Sequence, residues 1–422
     1  MKIIVSHPTG NMNTRAAIVG FIRNNLLYKF YTCIACFENS CLFKLSKISF
    51  LKEFRRRSYD AILEPVTKVY PWWELGRQMS IKFRIKPFIK HEFGIFSVDN
   101  VYATLDKYVA NKIKKYSKDI AAVYAYEDCA LHTFQEAKKQ NKICIYDLPI
   151  GHWRSMRELL SIEKERNPEW GMTIGGFNDS EEKLNRKDEE LLLADKIYVA
   201  STFTKKTLEL FPQKLNDIEV IPYGFPPVNK YRVYIPFDGR KIRVLFVGGL
   251  SQRKGISYLF ESVKGLESKI DLTVVGSGNI ESCHILKQEL EKVNYIPSLP
   301  HEEVLKLMSE HDLLIFPSLF EGFGLVITEA MSQGTPVITT ERTCGLDVIT
   351  DGKDSWIVKA GSSQPIRDLL EQFINDPSIL HKVGRNALLK ASLRPWSSYE
   401  RELSISVKNS INDLLNNNIS RD

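Results

Sequence analysis

Ile221-Pro222-Tyr223-Gly224-Phe225-Pro226-Pro227 divides the chain in two. Three prolines and a glycine within this stretch break periodic structure, and the composition reads as a stiff interdomain linker. On either side of it, short apolar runs alternate with helix-length amphipathic stretches, which is the rhythm of parallel sheets with crossover helices. Before the linker the expected strands are Lys2–Ser6, Lys29–Phe37, Ala121–Ala125, Ile143–Tyr146 and Lys196–Ala200, and the polar stretch 151–190 reads as helices and loop. After it the expected strands are Ile242–Val247, Leu272–Val275, Tyr295–Ile296, Leu313–Phe316, Val337–Thr339 and Trp356–Val358, with helices at Glu302–Ser309, Leu325–Ser332 and Trp396–Leu415. The expected fold class is α/β: two Rossmann-like, doubly wound parallel-sheet domains, residues 1–225 and 226–395, facing each other across a cleft. Ligands of such sheets bind at the carboxyl ends of the strands.

The 422 residues are 43% hydrophobic and 26% charged, an ordinary globular balance. No apolar run approaches the roughly 20 residues that span a bilayer. The first residues, Met1 to Pro8, enter a strand pattern at once and lack the features of a signal peptide, so a cytoplasmic location is expected. Seven cysteines, an odd number, rule out a complete internal disulfide set. Cys33 and Cys36 have CxxC spacing with Cys41 beyond, but no second pair and no nearby His complete a zinc set, so a buried strand is the better reading. The net charge of +7 is uneven: residues 1–150 hold 24 Lys/Arg against 13 Asp/Glu, whereas residues 226–422 hold 23 against 24. The basic excess is densest at Lys44, Lys47, Lys52, Arg55, Arg56 and Arg57, interleaved with apolar residues. This run is either a solvated face or a contact with an anionic membrane surface. The sequence has no nucleic-acid-binding motif.

Two segments carry chemistry. Phe316-Pro317-Ser318-Leu319-Phe320-Glu321-Gly322-Phe323-Gly324-Leu325-Val326-Ile327-Thr328-Glu329-Ala330 runs from a strand through a glycine-punctuated loop into a helix. The first amides of that helix suit an anion. Gly322 and Gly324 allow a ligand to come close to the backbone. Glu321 in the loop and Glu329 in the helix are acceptors for vicinal hydroxyls, of a sugar and a ribose respectively. Val244-Leu245-Phe246-Val247-Gly248-Gly249-Leu250-Ser251-Gln252-Arg253-Lys254-Gly255 runs from a buried strand into Gly248-Gly249 and on to two cations suited to a diphosphate.

With these residues in place, the chain resembles retaining glycosyltransferases of family 4, the glycosyl transferases group 1, which have the GT-B fold. Glu321 and Glu329 match that family's glutamate pair, and Arg253 and Lys254 match its diphosphate-binding cations. Ala194 to Ser201, Ile221-Pro222-Tyr223-Gly224 and Gly334-Thr335-Pro336-Val337-Ile338 resemble its strand before the linker, its domain crossing and the strand after the glutamate-pair helix. The likeness covers most of 190–360 and is weaker before it. It implies a nucleotide-sugar donor (UDP or GDP) as substrate, with no cofactor and no metal, in keeping with the absence of an Asp-x-Asp motif. Glu329 would bind the ribose hydroxyls and Glu321 the donor sugar. Arg253, Lys254 and the amides of Phe323, Gly324 and Leu325 would steady the leaving diphosphate. The sugar would be transferred with retention to a glycan or lipid-linked acceptor. Arg394-Pro395-Trp396-Ser397 resembles the start of a crossover helix, about 396–422, that packs back on the first domain.

In the N-terminal half the first loop, Ser6 to Asn13, resembles the family's glycine-bearing loop, with Gly10-Asn11 in place of two glycines. Asn11 either preserves a left-handed turn or caps the next helix. A cleft-facing catalytic histidine is common in the family, and His7, His132 and His152 are candidates, with His152 preferred; packing or capping is the rival reading. Glu127 and Asp128 follow a strand and either orient the acceptor or cap the next helix. Asp347 stands where the family often has Glu, with a structural role expected. A nucleotide-sugar epimerase on the same fold and a non-catalytic nucleotide-sugar-binding partner are the alternative functions. An epimerase would consume donor without acceptor, and a binding partner would bind UDP or GDP without turnover.

Overall fold

The computed structural model describes residues 1–38 and 57–419. The basic run from Lys44 to Arg56, with Cys41, lies outside the described residues. The first sheet holds β1 (Ile3–Ser6), β2 (Leu27–Thr32), β3 (Thr67–Val69), β4 (Ala122–Tyr126), β5 (Ile143–Leu148), β6 (Lys196–Val199) and β7 (Ile218–Val220). Their order is β3-β2-β1-β4-β5-β6-β7, parallel throughout. The second sheet holds β8 (Ile242–Val247), β9 (Ile270–Val275), β10 (Asn294–Ile296), β11 (Leu313–Phe316), β12 (Val337–Thr340) and β13 (Trp356–Val358). Their order is β10-β9-β8-β11-β12-β13, again parallel. Helices cover both faces, so central strands such as β4 (Ala-Val-Tyr-Ala-Tyr) and β11 (Leu-Leu-Ile-Phe) are apolar along their whole length and fully buried.

Each sheet reverses its winding once, between β1 and β4 and between β8 and β11. At such a switch point two neighbouring crossovers leave in opposite directions and open a crevice at the strand ends. The two segments singled out for chemistry leave the ends of β8 and β11, on either side of the second crevice.

The expected strand 29–37 stops at Thr32. The Cys33 amide donates to Pro8 O (3.2 Å) and the Cys36 amide to Arg57 O (2.9 Å), which turns the chain away from the sheet. Both cysteines are buried free thiols, but in this turn and not in a strand. β3 and β7, of three residues each, are too short to show a pattern in the sequence.

The chain passes between the domains twice, side by side. The Phe225 amide donates to Arg394 O (2.8 Å), and the Arg394 guanidinium binds Pro222 O (2.6 Å) and Glu402. A side chain at Gly224 would overlap the backbone of Trp396. Tyr223 packs on Phe323 (4.7 Å), Tyr399 (5.1 Å) and Trp396 (5.8 Å), centroid to centroid. The last helix, Trp396–Ile419, lies along the helix Met12–Arg23, with Arg23 bound to Glu400 (2.6 Å), and its Ser406 meets Tyr198 OH (2.8 Å). Beneath this aromatic knot Asp147 is buried at the end of β5. Burial pushes its carboxyl up to about 7, even though Tyr124 OH donates to it (2.6 Å).

Candidate active site between the two sheets

β8 ends in Gly248-Gly249, and β9 ends in a second glycine turn, Gly276-Ser277-Gly278. The two turns lie against each other: Gly248 N donates to Val275 O (3.0 Å) and Leu250 N to Ser277 O (2.9 Å). A 3-10 turn, Gln252–Lys254, then carries the two cations to the loop after β11. Arg253 donates to Phe320 O (2.9 Å) and stands 3.7 Å from Glu321. The Lys254 ammonium ion-pairs with Glu321 and lies over the Phe316 ring (4.9 Å to the centroid). Burial holds Lys254 below the usual lysine range, and Glu321 opposes that shift.

The helix Leu325–Ser332 starts from Gly324, whose φ of 91° is a left-handed conformation that suits glycine. Phe323 is buried, and its carbonyl accepts from Cys344 N (2.9 Å). Leu325 opens the helix, and Glu329 lies one turn further along it. Glu329 does not join the Arg253–Lys254–Glu321 cluster. It pairs with the His301 imidazole (2.9 Å), and that pairing raises the His301 pKa.

The N-terminal domain closes on this loop. Gly322 sits so near Pro149 and Ile150 that a Cβ there would overlap the Pro149 carbonyl. Its own carbonyl accepts from Ser201 Oγ (2.6 Å) and Thr204 Oγ1 (2.9 Å). Asp347 accepts from the amide of Thr202 (3.0 Å) and clasps the two domains, which gives it a structural place beside the loop. On the other flank Glu163 accepts from Gln252 Nε2 (2.6 Å) and Tyr258 OH (2.8 Å). A cavity of about 300 Å³ adjoins the clasp, with Thr202, Phe203, Lys206, Arg342 and Leu346 in its wall.

The N-terminal candidates are held differently. Gly10 takes the left-handed turn (φ 60°), whereas Asn11 is extended (φ −66°, ψ 179°) and caps the helix Met12–Arg23 by accepting from Thr14 N (3.1 Å). Of the two readings of Asn11, the N-cap is the one the structure shows. His7 Nδ1 accepts from both Thr9 N (3.0 Å) and Gly10 N (2.7 Å), so that nitrogen carries no proton. Burial, with Arg57 and Arg15 nearby, lowers the His7 pKa to about 3. His132 rests on Asp106 (3.1 Å).

His152 packs in the interior. Its side chain is wholly buried, with Nε2 on Asp188 (3.1 Å) and the ring edge-on to Phe211. Glu127 and Asp128 are tied to the helix Glu181–Leu193: Lys187 binds Glu127 (3.3 Å) and Asp128 (3.4 Å), and Arg186 binds Asp128 (2.8 Å). Neither caps the next helix. Its first amides go instead to Glu190 and Asp106. Among the described residues one group has metal-ligand chemistry, His91, Glu92 and Asp179, on the N-terminal domain and bound to Lys183 through Asp179.

Sequence reasoning missed Gly276 to Gly278, His301, Glu163, Ser201 and Thr204. The glycine turn after a strand and the Ser-x-x-Thr pair after β6 were readable signals. Glu163 and His301 carry none, because their partners lie far away in sequence.

Residues 228–390 match the model of the family Glycosyl transferases group 1. The capsular polysaccharide biosynthesis glycosyltransferase CapM of Staphylococcus aureus is 26% identical over 238 residues, 51% of this chain and 61% of that protein. The chain thus spans less than two thirds of that relative's length. Among solved structures, sucrose-phosphate synthase from Thermosynechococcus elongatus aligns with a TM-score of 0.67 at 16% identity, covering 97% of this chain and 98% of that one. Anabaena HepE in complex with UDP aligns with a TM-score of 0.63 at 14% identity, covering 97% of this chain and 100% of that one. Both sheets and their arrangement are therefore those of the GT-B fold.

Proposed function

From the premise that the C-terminal domain is a glycosyl transferases group 1 domain, we propose that the protein is a retaining, metal-independent glycosyltransferase. It moves a hexose-type sugar from a UDP or GDP donor to a glycan or lipid-linked acceptor, in cell-surface polysaccharide or glycolipid synthesis. The observation that carries this reading is the meeting of Arg253, Lys254 and Glu321 at the β8/β11 crevice, next to the open amides of a glycine-started helix.

In this reading the diphosphate sits against Gly248-Gly249 and draws Lys254 away from Glu321. The freed carboxylate then accepts from the hydroxyls of the donor sugar. Arg253 and Lys254 face the charge that grows on the departing diphosphate, where fixed cations lower the barrier most. Glu329, steadied by His301, takes the ribose diol. The support for retention and for metal independence is the likeness of these residues to family 4, together with the cations that face the diphosphate position.

The test is a screen of UDP- and GDP-sugars with cell lipid extract as acceptor, read by mass spectrometry of products. Transfer that depends on Glu321 supports the reading. Donor consumption without acceptor favours an epimerase, and UDP or GDP binding with no turnover favours a binding partner.

A further inference from the structure

The stretch Ile81-Lys82-Phe83-Arg84-Ile85-Lys86-Pro87-Phe88 alternates apolar and basic residues, and all eight are exposed. It continues a helix, Trp72–Lys82, whose Trp72 is 70% exposed, and leads to Phe93, 79% exposed, and Ile95, 50% exposed. Among the described residues every exposed Phe and Trp lies between Trp72 and Phe93. Isolated exposed apolar side chains are ordinary, but a contiguous set marks an interaction surface.

Charge selects the partner. Lys82, Arg84, Lys86 and Lys90 are exposed among these side chains, and Lys90 lies over the Phe93 ring (5.5 Å). The acids of the same stretch are turned inward and paired: Glu74 with Arg57 (3.2 Å) and Arg77 (2.9 Å), Glu92 with the Ser180 amide (2.9 Å). Aromatic and aliphatic side chains alternating with cations match the boundary between lipid headgroups and acyl chains. The isoleucines at 81, 85 and 95 suit acyl chains and have no counterpart in stacking on nucleic-acid bases.

We propose that residues 72–95 form a docking surface for an anionic lipid bilayer. The segment follows β3, whose carboxyl end lies on the cleft side of the first sheet. It is also tied to the first loop, because Arg57 bridges Glu74 and Thr9 O (2.8 Å). A bilayer held there would stand beside the N-terminal wall of the cleft, where a lipid-linked acceptor would enter. The proposal does not rest on the transferase reading, since vesicle binding needs no donor.

The test is flotation of the full chain with vesicles of phosphatidylcholine alone and of phosphatidylcholine with phosphatidylglycerol at about one part in four. The wild type is expected to bind only the anionic vesicles and to lose them as salt rises. K82E/R84E/K86E should weaken binding on the order of a hundredfold, since each basic residue contributes roughly fivefold near an anionic surface. F83S/F88S/F93S should weaken it about tenfold by removing interfacial anchors. Both variants change exposed side chains and should keep the wild-type circular dichroism and UDP affinity. The proposal is overturned if the wild type stays off anionic vesicles or if both variants bind them like the wild type. It is equally overturned if the serine variant abolishes a concentration-dependent dimer while vesicle binding persists, which would assign the surface to a second copy.

Discussion

The two crevices of this molecule have the same topology and opposite use of charge. At β8/β11, Arg253, Lys254 and Glu321 come from two short loops and face one another across the gap, with Arg253 also on the Phe320 carbonyl and Lys254 over the Phe316 ring. At β1/β4, the acids after β4 are already spent on Lys187 and Arg186 of a distant helix, while His7 serves two backbone amides. A charge that can be drawn away by a ligand marks a site for chemistry, whereas a charge satisfied by the fold marks a site for shape. The first crevice is therefore read as donor chemistry and the second as a rigid wall.

Five substitutions break or sharpen that contrast. The largest effect is expected from Glu321→Ala, with a fall in kcat of about 10²–10³, the range for removing a preorganised transition-state contact. Glu329→Ala should instead raise the donor Kd with less change in kcat, and steady-state kinetics with titration calorimetry separate the two. Equal losses in both constants for both variants would erase the division of roles. Lys254→Ala should weaken UDP or GDP binding by about 1.5–3 kcal/mol, the value of a charge-assisted contact; an unchanged Kd would remove the cation from the site.

Next comes Asp147→Asn, whose effect depends on pH. Burial raises the wild-type carboxyl from 3.8 to about 7, so the folded protein holds this proton more tightly than the unfolded chain does. The group's favourable contribution is complete below the unfolded value and is lost as pH rises towards about 7. The amide variant lacks that loss. Its Tm should exceed the wild type at pH 8, by on the order of 2 kcal/mol of stability, and converge with it near pH 4. A Tm difference independent of pH would show that Asp147 does not titrate in this window.

The smallest effect is expected at the N-terminal wall. His152→Ala should cost about 1–2 kcal/mol of stability, through the lost Asp188 contact and packing. The folded fraction should keep a kcat within about tenfold of the wild type, well short of the loss expected at a transition-state contact. A hundredfold loss of kcat at unchanged Tm would return this histidine to catalysis.

This contrast also explains what was legible in the sequence. Both sheets could be read, because strands buried on two faces leave continuous apolar runs, as in Leu313–Phe316. So could the two loops that bring Arg253, Lys254 and Glu321 together, because a glycine turn with its cations and a glycine-punctuated loop with its acid are local patterns, whereas the pairing of Glu329 with His301 could not. The N-terminal candidates stayed open between alternatives for the opposite reason. What holds Glu127, Asp128 and His152 is Lys187, Arg186 and Asp188, and no local pattern connects β4 or β5 to that helix. The end of the strand at Thr32 was hidden in the same way, since the turn is set by hydrogen bonds to Pro8 and Arg57.

The paired passages at Phe225 and Arg394 make one strap of the two crossings between the halves. The Phe225–Arg394 backbone bond and the Arg394 guanidinium on Pro222 O join the two crossings, and a glycine with no spare room packs one against the other. Across the same interface Ser201 and Thr204 hold the Gly322 carbonyl together, and Asp347 holds the Thr202 amide beside them. The loop that carries Glu321 is therefore set by both halves of the molecule at once, and neither half alone gives it this shape.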